Sequence, residues 1–247
     1  MFLYSLLEVS EKATNIVKWL SVGAVVLVLV AVALIAFLKN GKKWGAKKIA
    51  FAGICVCTSF VLAMIKFSPV QYGGSITIAS FVPIMIFAYA YGVADGLLVG
   101  LIHGLLNFIE DPYILTPATF LFDYLLAFMS VGLMGLFGKM PRKEKGCLPI
   151  VLGCITVFSA RFVSHLFSGM IFFMQDSIWV SLPDWVMSNA FTYSFIYQCI
   201  YIPADALIAT LVLISFSKTG ILDRILAIIK PKTTTKKQIS SEIIDEK

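Results

Sequence analysis

LPIVLGCITVFSARFVSHLFSGMIFFM, residues 148–174, is an apolar run broken by one arginine and one histidine. As a helix at 1.5 Å per residue it extends ~40 Å, more than the ~30 Å of a bilayer's hydrocarbon core. Similar runs occur at 15–38, 47–66, 75–91, 94–110, 117–138 and 185–216. They are continuous rather than alternating in polarity, which argues for helices and against a transmembrane barrel. The reading is an all-α integral membrane protein with seven spans.

Composition agrees. The chain has 247 residues, 59% hydrophobic and only 14% charged, with mean hydropathy +0.91. So few charges cannot solvate a soluble fold of this size, where about 25% is usual. A cytosolic enzyme, a disordered protein and a nucleic-acid binder are excluded. The net charge of +6 comes from three cationic blocks, at 39–48, 138–146 and 217–247. Outside them lie only Lys12, Lys18, Lys66 and Arg161. Such blocks mark cytoplasmic loops, and seven spans put all three on one side, with the N-terminus outside and the C-terminus in the cytoplasm.

The run at 15–38 is too long for a signal peptide, and cleavage would leave the lysines of 39–48 outside, so it reads as an uncleaved helix. The division is then 1–46, an extra N-terminal helix and cationic loop; 47–216, a membrane domain; and 217–247, a cytoplasmic tail. In that tail Ile221–Lys230 has the pattern of a short amphipathic helix on the membrane surface, followed by a polar, disordered end. The cysteines Cys55, Cys57, Cys147, Cys154 and Cys199 form no CxxC pair and read as packing residues.

Small residues predict where helices meet. Gly92, Gly96, Gly100 and Gly104 make one stripe, and Gly132, Gly135 and Gly138 thin the following span. Ala46, Ala50, Gly53 and Cys57 make one face of the second span. Such faces serve packing within a bundle or docking of another membrane protein.

Ionisable groups inside the hydrocarbon mark function or a buried pair. Asp123, His165 and Tyr193 fall roughly 9, 14 and 12 Å below the outer ends of their spans. Arg161 and Asp123 are expected to form a structural ion pair, and His103 to be structural. Arg161, His165, Gly169 and Phe173 share one broad face, with Gly169 expected to leave a recess. Tyr197, Gln198, Tyr201 and Asp205 share another, with Tyr193 at its margin. Glu110 and Tyr113 sit at the outer rim. Carboxylate, imidazole, phenol and amide around a recess suit a small polar ring compound, including a cation. No nucleotide-binding loop, HExxH or nucleophile elbow is present; the chain reads as a binding protein, with no metal or cofactor.

Several motifs together resemble one family. They are Gly73-Gly74-Ser75-Ile76-Thr77 with Val82-Pro83-Ile84, Glu110 to Tyr113, Asp123-Tyr124 with Leu125-Leu126-Ala127-Phe128, Arg161 to His165 with Ser168-Gly169, and Tyr193-Ser194 with Tyr197-Gln198. In this order and spacing, over 47–216, the chain resembles the thiamine-specific substrate-binding (S) components of energy-coupling factor transporters of bacterial cell membranes. The resemblance implies a six-helix core, preceded here by the extra helix, that holds thiamine as cargo near the outer face. It also implies energy from a transmembrane coupling subunit and two cytoplasmic ATPase subunits. Carried over, Glu110, Tyr113, His165, Gly169, Phe173, Tyr193, Tyr197 and Gln198 would surround the vitamin, and Ala46, Ala50 and Gly53 would dock the coupling subunit. The chain departs where the family often has tryptophan (here Phe173) and asparagine (here Gln198), and Asp111 follows Glu110. Trp179 and Trp185 in a longer outer loop are candidates to replace the indole. A related vitamin or pyrimidine, and a stand-alone membrane sensor or scaffold, stay open as alternatives.

The topology has a direct check. In a background without native cysteines, Cys at Asn40 or Glu144 should resist an impermeant thiol reagent in intact cells, and Cys at Ser177 should react. Labelling at Glu144 would contradict seven spans.

Overall fold

The computed structural model describes residues 44–68, 74–112, 116–141, 146–173 and 182–229. The 15–38 run, Tyr113 and Trp179 lie outside them. Helix α1, Ala46–Met64, buries Ala52, Cys55, Val56, Ser59 and Ala63, which recur at helical spacing on one side. Its other side, with Ala46, Ala50, Gly53 and Cys57, is exposed. A Cβ built on Gly53 meets nothing within 4 Å. This small-residue face therefore does not serve packing among the described residues.

The chain next makes a small hairpin. Strand β1, Lys66–Phe67, pairs antiparallel with β2, Ile76–Thr77, Lys66 facing Thr77. Helix α2 then covers only Val82–Tyr91. The predicted span 75–91 is thus corrected: ten residues rise ~15 Å, half a hydrocarbon core. Thr77 spends its backbone N–H and hydroxyl on a partner outside the segment, the Asp205 carboxylate, and Pro83, with no N–H, suits the first turn of a helix. What α2 lacks in length it has in burial: Ile84, Met85, Phe87 and Ala88 have no exposed surface. Trp44 and Phe51 close on Phe87, each with ring centroids 6.0 Å away.

Helix α3, Val93–Glu110, and helix α4, Pro117–Leu136, meet through glycine. A Cβ on Gly100 would lie 2.5 Å from the Phe128 carbonyl oxygen, and one on Gly96 would lie 2.8 Å from the Cα of Gly132. The two stripes face each other, so they are internal packing. Helix α4 is irregular. It opens on a Thr116 capping box, widens to a π turn at Leu121–Leu126, and tightens to 3₁₀ at Ser130–Leu136. Three residues per turn line up Gly132 and Gly135 on one edge. This accounts for their spacing of three where α3 uses four. At the π turn, the Phe122 carbonyl accepts from the Ala127 N–H and, at 2.6 Å, from the Ser164 hydroxyl.

Helices α5, Leu148–Phe173, and α6, Ala190–Lys218, form the most extensive helix pair. Asn189 caps α6 by accepting from the Thr192 N–H at 2.9 Å. Helices α1, α3, α4, α5 and α6 are each long and apolar enough to cross a membrane. Helix α7, Ile221–Ile229, is the predicted amphipathic segment. It buries Leu222 against the bundle and packs Ile225 and Leu226 on the core, so its apolar face serves the protein as well as any lipid surface.

At one end of the bundle Lys48 pairs with Asp95, and the Trp44 indole donates to the same carboxylate at 3.1 Å. This ties the start of α1 to that of α3. At the other end Lys66 reaches Glu110 at 3.3 Å and Asp111 at 2.8 Å. Burial works to lower the Lys66 pKa, but the hydrogen bond and charge of Asp111, with Glu110, outweigh it and raise it above the ordinary lysine value. The stabilisation from a raised pKa is complete below the unfolded-state value and lost as pH climbs through the folded one. The lysine's side of this clasp is therefore intact at neutral pH and is lost as pH climbs through its raised pKa.

The glycine assignments predict opposite outcomes for equal changes. Gly100→Leu should destabilise the protein by about 1–3 kcal/mol or prevent folding, by overpacking against backbone. Gly53→Leu should shift stability by less than about 0.5 kcal/mol. Thermal unfolding in detergent compares them.

Candidate ligand site on the α5–α6 wall

Arg161 sits mid-way along α5 in an apolar bundle, 6% exposed, its guanidinium 4.2 Å above the Phe81 ring. An arginine cannot shed its proton, so it must be paired there. Its partner is Asp205 of α6: NH1 donates to Oδ2 at 2.7 Å. Asp205 Oδ1 accepts from the Thr77 N–H at 3.2 Å and the Thr77 hydroxyl at 2.9 Å. The expected Arg161–Asp123 pair is therefore corrected. Depth explains it: Arg161 and Asp205 lie ~18 and ~22 Å from Phe173 and Ala190, the ends of α5 and α6 that follow one another in the chain, whereas Asp123 lies ~9 Å from Pro117.

Asp123 instead meets His165, ~12 Å deep. Its Oδ1 is 2.8 Å from His165 Nδ1, and its Oδ2 accepts from the Ser168 hydroxyl at 2.6 Å. Arg161 Nε donates to His165 Nε2 at 3.3 Å. A guanidinium N–H can only donate, so Nε2 is the bare nitrogen and Nδ1 carries the hydrogen. His165 is thus a neutral imidazole of one tautomer, joining the two carboxylates' networks.

From His165 a column of rings climbs along α6. Tyr201 stands edge-on to it with centroids 6.2 Å apart, Tyr197 lies 6.0 Å from Tyr201, and Tyr193 lies 6.0 Å from Tyr197. Phe173, at the end of α5, caps the column 5.3 Å from Tyr193. Spacing of four along α6 stacks the tyrosines on one side. Gln198 Nε2 donates to the His165 carbonyl at 3.2 Å, and its Oε1 accepts from the Tyr201 hydroxyl at 2.5 Å. The Tyr197 hydroxyl accepts from the Gly74 N–H at 3.1 Å, tying the column to the segment before β2.

His165, Phe173, Tyr193, Tyr197 and Gln198 therefore share one wall of π faces, amide and imidazole, suited to a flat, polar ring compound and to a cation. Gly169 has a different part. A Cβ there would strike the Ser194 hydroxyl and lie 3.3 Å from Gln198 Nε2, so the expected recess is filled by α6 and serves close helix approach. Glu110 stands at the bundle's end, its carboxylate held by Lys66 rather than by the wall. The chain links the two places through the Asp111 carbonyl, which accepts from the Tyr124 hydroxyl at 2.7 Å beside Asp123. Trp185 is 63% exposed, away from the wall's contacts. His103 is fully buried against Phe128, and neither ring nitrogen has a hydrogen-bond partner among the described residues. No group of three His, Cys, Asp or Glu among the described residues could hold a metal. Sequence reading missed the roles of Thr77, Ser168 and Lys66; for Arg161 and Asp205 the signal was their common depth.

Breaking this array should show coupling. Arg161→Met leaves a buried carboxylate unpaired and should cost about 3–5 kcal/mol. Adding Asp205→Leu should restore at least about 1 kcal/mol relative to the sum of the single changes. Denaturation of the four proteins in one detergent measures it; strict additivity would deny the pair.

Comparison with known proteins adds the family. The profile of the family described as thiamine transporter protein (Thia_YuaJ) matches residues 49–222. The chain is 30% identical over 155 residues to thiamine transporter ThiT of Bacillus subtilis, covering 60% of this chain and 77% of that one. A solved structure of ThiT from Listeria monocytogenes superposes with a TM-score of 0.60 over 70% of this chain and 94% of its own, at 22% identity, a likeness of fold. With most of its length inside that profile, the chain belongs to the thiamine transporter protein family.

Proposed function

We propose that this chain captures thiamine at the outer face of a bacterial cell membrane and delivers it inward as the substrate-binding subunit of an energy-coupling factor importer. The observation that carries the reading is the α5–α6 wall: a neutral imidazole, an amide and a column of aromatic rings inside a bundle of the thiamine transporter family. Thiamine has an aminopyrimidine, which hydrogen-bonds, and a thiazolium, a permanent cation attracted by ring faces and negative charge. Glu110, Tyr113, His165, Phe173, Tyr193, Tyr197 and Gln198 are its proposed contacts, with Gly169 setting the closeness of α5 and α6. In this orientation the Lys66–Glu110 end faces outward, and the Trp44–Lys48 end and the tail face the cytoplasm.

The chain has no sequence motif for ATP hydrolysis, so its energy must come from partners. We assign that role to a transmembrane coupling subunit with two cytoplasmic ATPases. The exposed face of Ala46, Ala50 and Gly53 supports this assignment. Small residues let another helix approach closely, and the open space over Gly53 gives the glycine no packing duty among the described residues.

Two measurements test the reading. Mass spectrometry of small molecules released from the purified protein should find thiamine; a different vitamin or pyrimidine, or no ligand with no saturable binding, would contradict it. Ala50→Trp should leave thiamine affinity within about two-fold and reduce uptake by cells with the partner subunits by roughly ten-fold or more. Loss of binding with retained copurification of the ATPases would move this face into the chain's own core.

A further inference from the structure

The charges inside the bundle do not balance. Arg161 gives NH1 to Asp205 and its Nε–H to His165, so its charge is matched by Asp205, whose other oxygen is filled by Thr77. His165 is neutral for the reason given above. Asp123 receives one neutral donor on each oxygen, from His165 and Ser168, and among the described residues no arginine or lysine reaches it. The other groups near this array are His103, behind Arg161, and Tyr201, the ring against His165. Neither supplies a fixed positive charge. One full negative charge is thus left over at Asp123, whose side chain is still 29% exposed.

Burying an uncompensated carboxylate costs several kcal/mol. Its place is specified by the fold: the π turn at Leu121–Leu126 holds Asp123 against α5, and the Ser164 hydroxyl secures the Phe122 carbonyl beside it. Glu110 differs in kind, since Lys66 already lies against it. A quaternary ring nitrogen carries no N–H. It needs negative charge nearby rather than a free lone pair. Asp123, with its hydrogen bonds satisfied and its charge unmatched, fits that need.

We propose that Asp123 is a specificity-determining residue of the ligand site, the counter-charge for the cationic ring of the ligand, with His165 and Ser168 holding its carboxylate in place. This rests on the thiamine-binding reading and deepens it. Glu110 is then left to the uncharged, hydrogen-bonding ring.

The test compares two ligands by calorimetry on the full chain in detergent: thiamine, and an uncharged analogue whose thiazolium is replaced by thiophene. Wild type should bind both, thiamine more tightly. Asp123→Asn should weaken thiamine roughly ten-fold or more and the analogue by less than about three-fold. Glu110→Gln should weaken both alike. Ser168→Ala, which removes a hydrogen bond but keeps the charge, should preserve or widen the preference for thiamine, and it decides the matter if Asp123→Asn does not fold. Equal loss of both ligands in Asp123→Asn, no loss of either, or a narrowed preference in Ser168→Ala would overturn the proposal. Binding of neither ligand by wild type would overturn the thiamine reading and this proposal with it.

Discussion

A guanidinium in the middle of an apolar bundle is the constraint on which the site depends. Arg161 can neither lose its proton nor reach water, so α6 must present Asp205 at its depth. The consequences spread outward. The second oxygen of Asp205 draws in Thr77, which ends the chain's extended segment and sets where α2 begins. The Nε–H of Arg161 selects the tautomer of His165 and so makes it a donor to Asp123. Thus one ion pair joins the hairpin to three helices. A buried pair of this kind is poor evidence for stability, because desolvation offsets the attraction. Here its effect is positional, holding His165 and the tyrosine column in register.

The rest of the bundle keeps that array in place by close backbone approach. The glycine edges of α3 and α4 bring main chain against main chain, leaving little room for sliding. The cost of regular geometry given up in α4 is offset locally: Ala127 and Ser164 both serve the Phe122 carbonyl at the π turn, and the 3₁₀ stretch puts its glycines on one edge. A close-packed half built from α2, α3 and α4 therefore backs a wall built from α5 and α6. That division suits a binding protein, which needs a preformed site and a separate surface for partners.

Much of this was legible in the sequence. Long apolar runs mark α1, α3, α4, α5 and α6, because length and polarity alone decide what can cross a bilayer. The ring column could be read from the spacing of Tyr193, Tyr197 and Tyr201. The third run misled, because apolar composition does not distinguish a spanning helix from a deeply buried half-length one. Thr77 and Pro83 were the local signs. Arg161 pairs with Asp205 rather than the expected Asp123, because at 1.5 Å per residue Asp205 is the one closer to its depth. Gly169 leaves no recess, and a glycine facing another helix and one facing a cavity look the same in sequence until the neighbour, Ser194, is placed. The π turn left no pattern, since it depends on a hydroxyl from another helix.

The central claim is that a prebuilt wall of α5 and α6, ordered by Arg161 and Asp205, receives the vitamin's rings. The most direct measurement is an experimental structure of the full chain with thiamine bound. The account predicts both rings of the ligand against His165, Tyr193, Tyr197 and Gln198, with the Arg161–Asp205 and His165–Asp123 contacts intact. Thiamine bound elsewhere on the bundle, or Arg161 turned from Asp205 to the ligand, would contradict it.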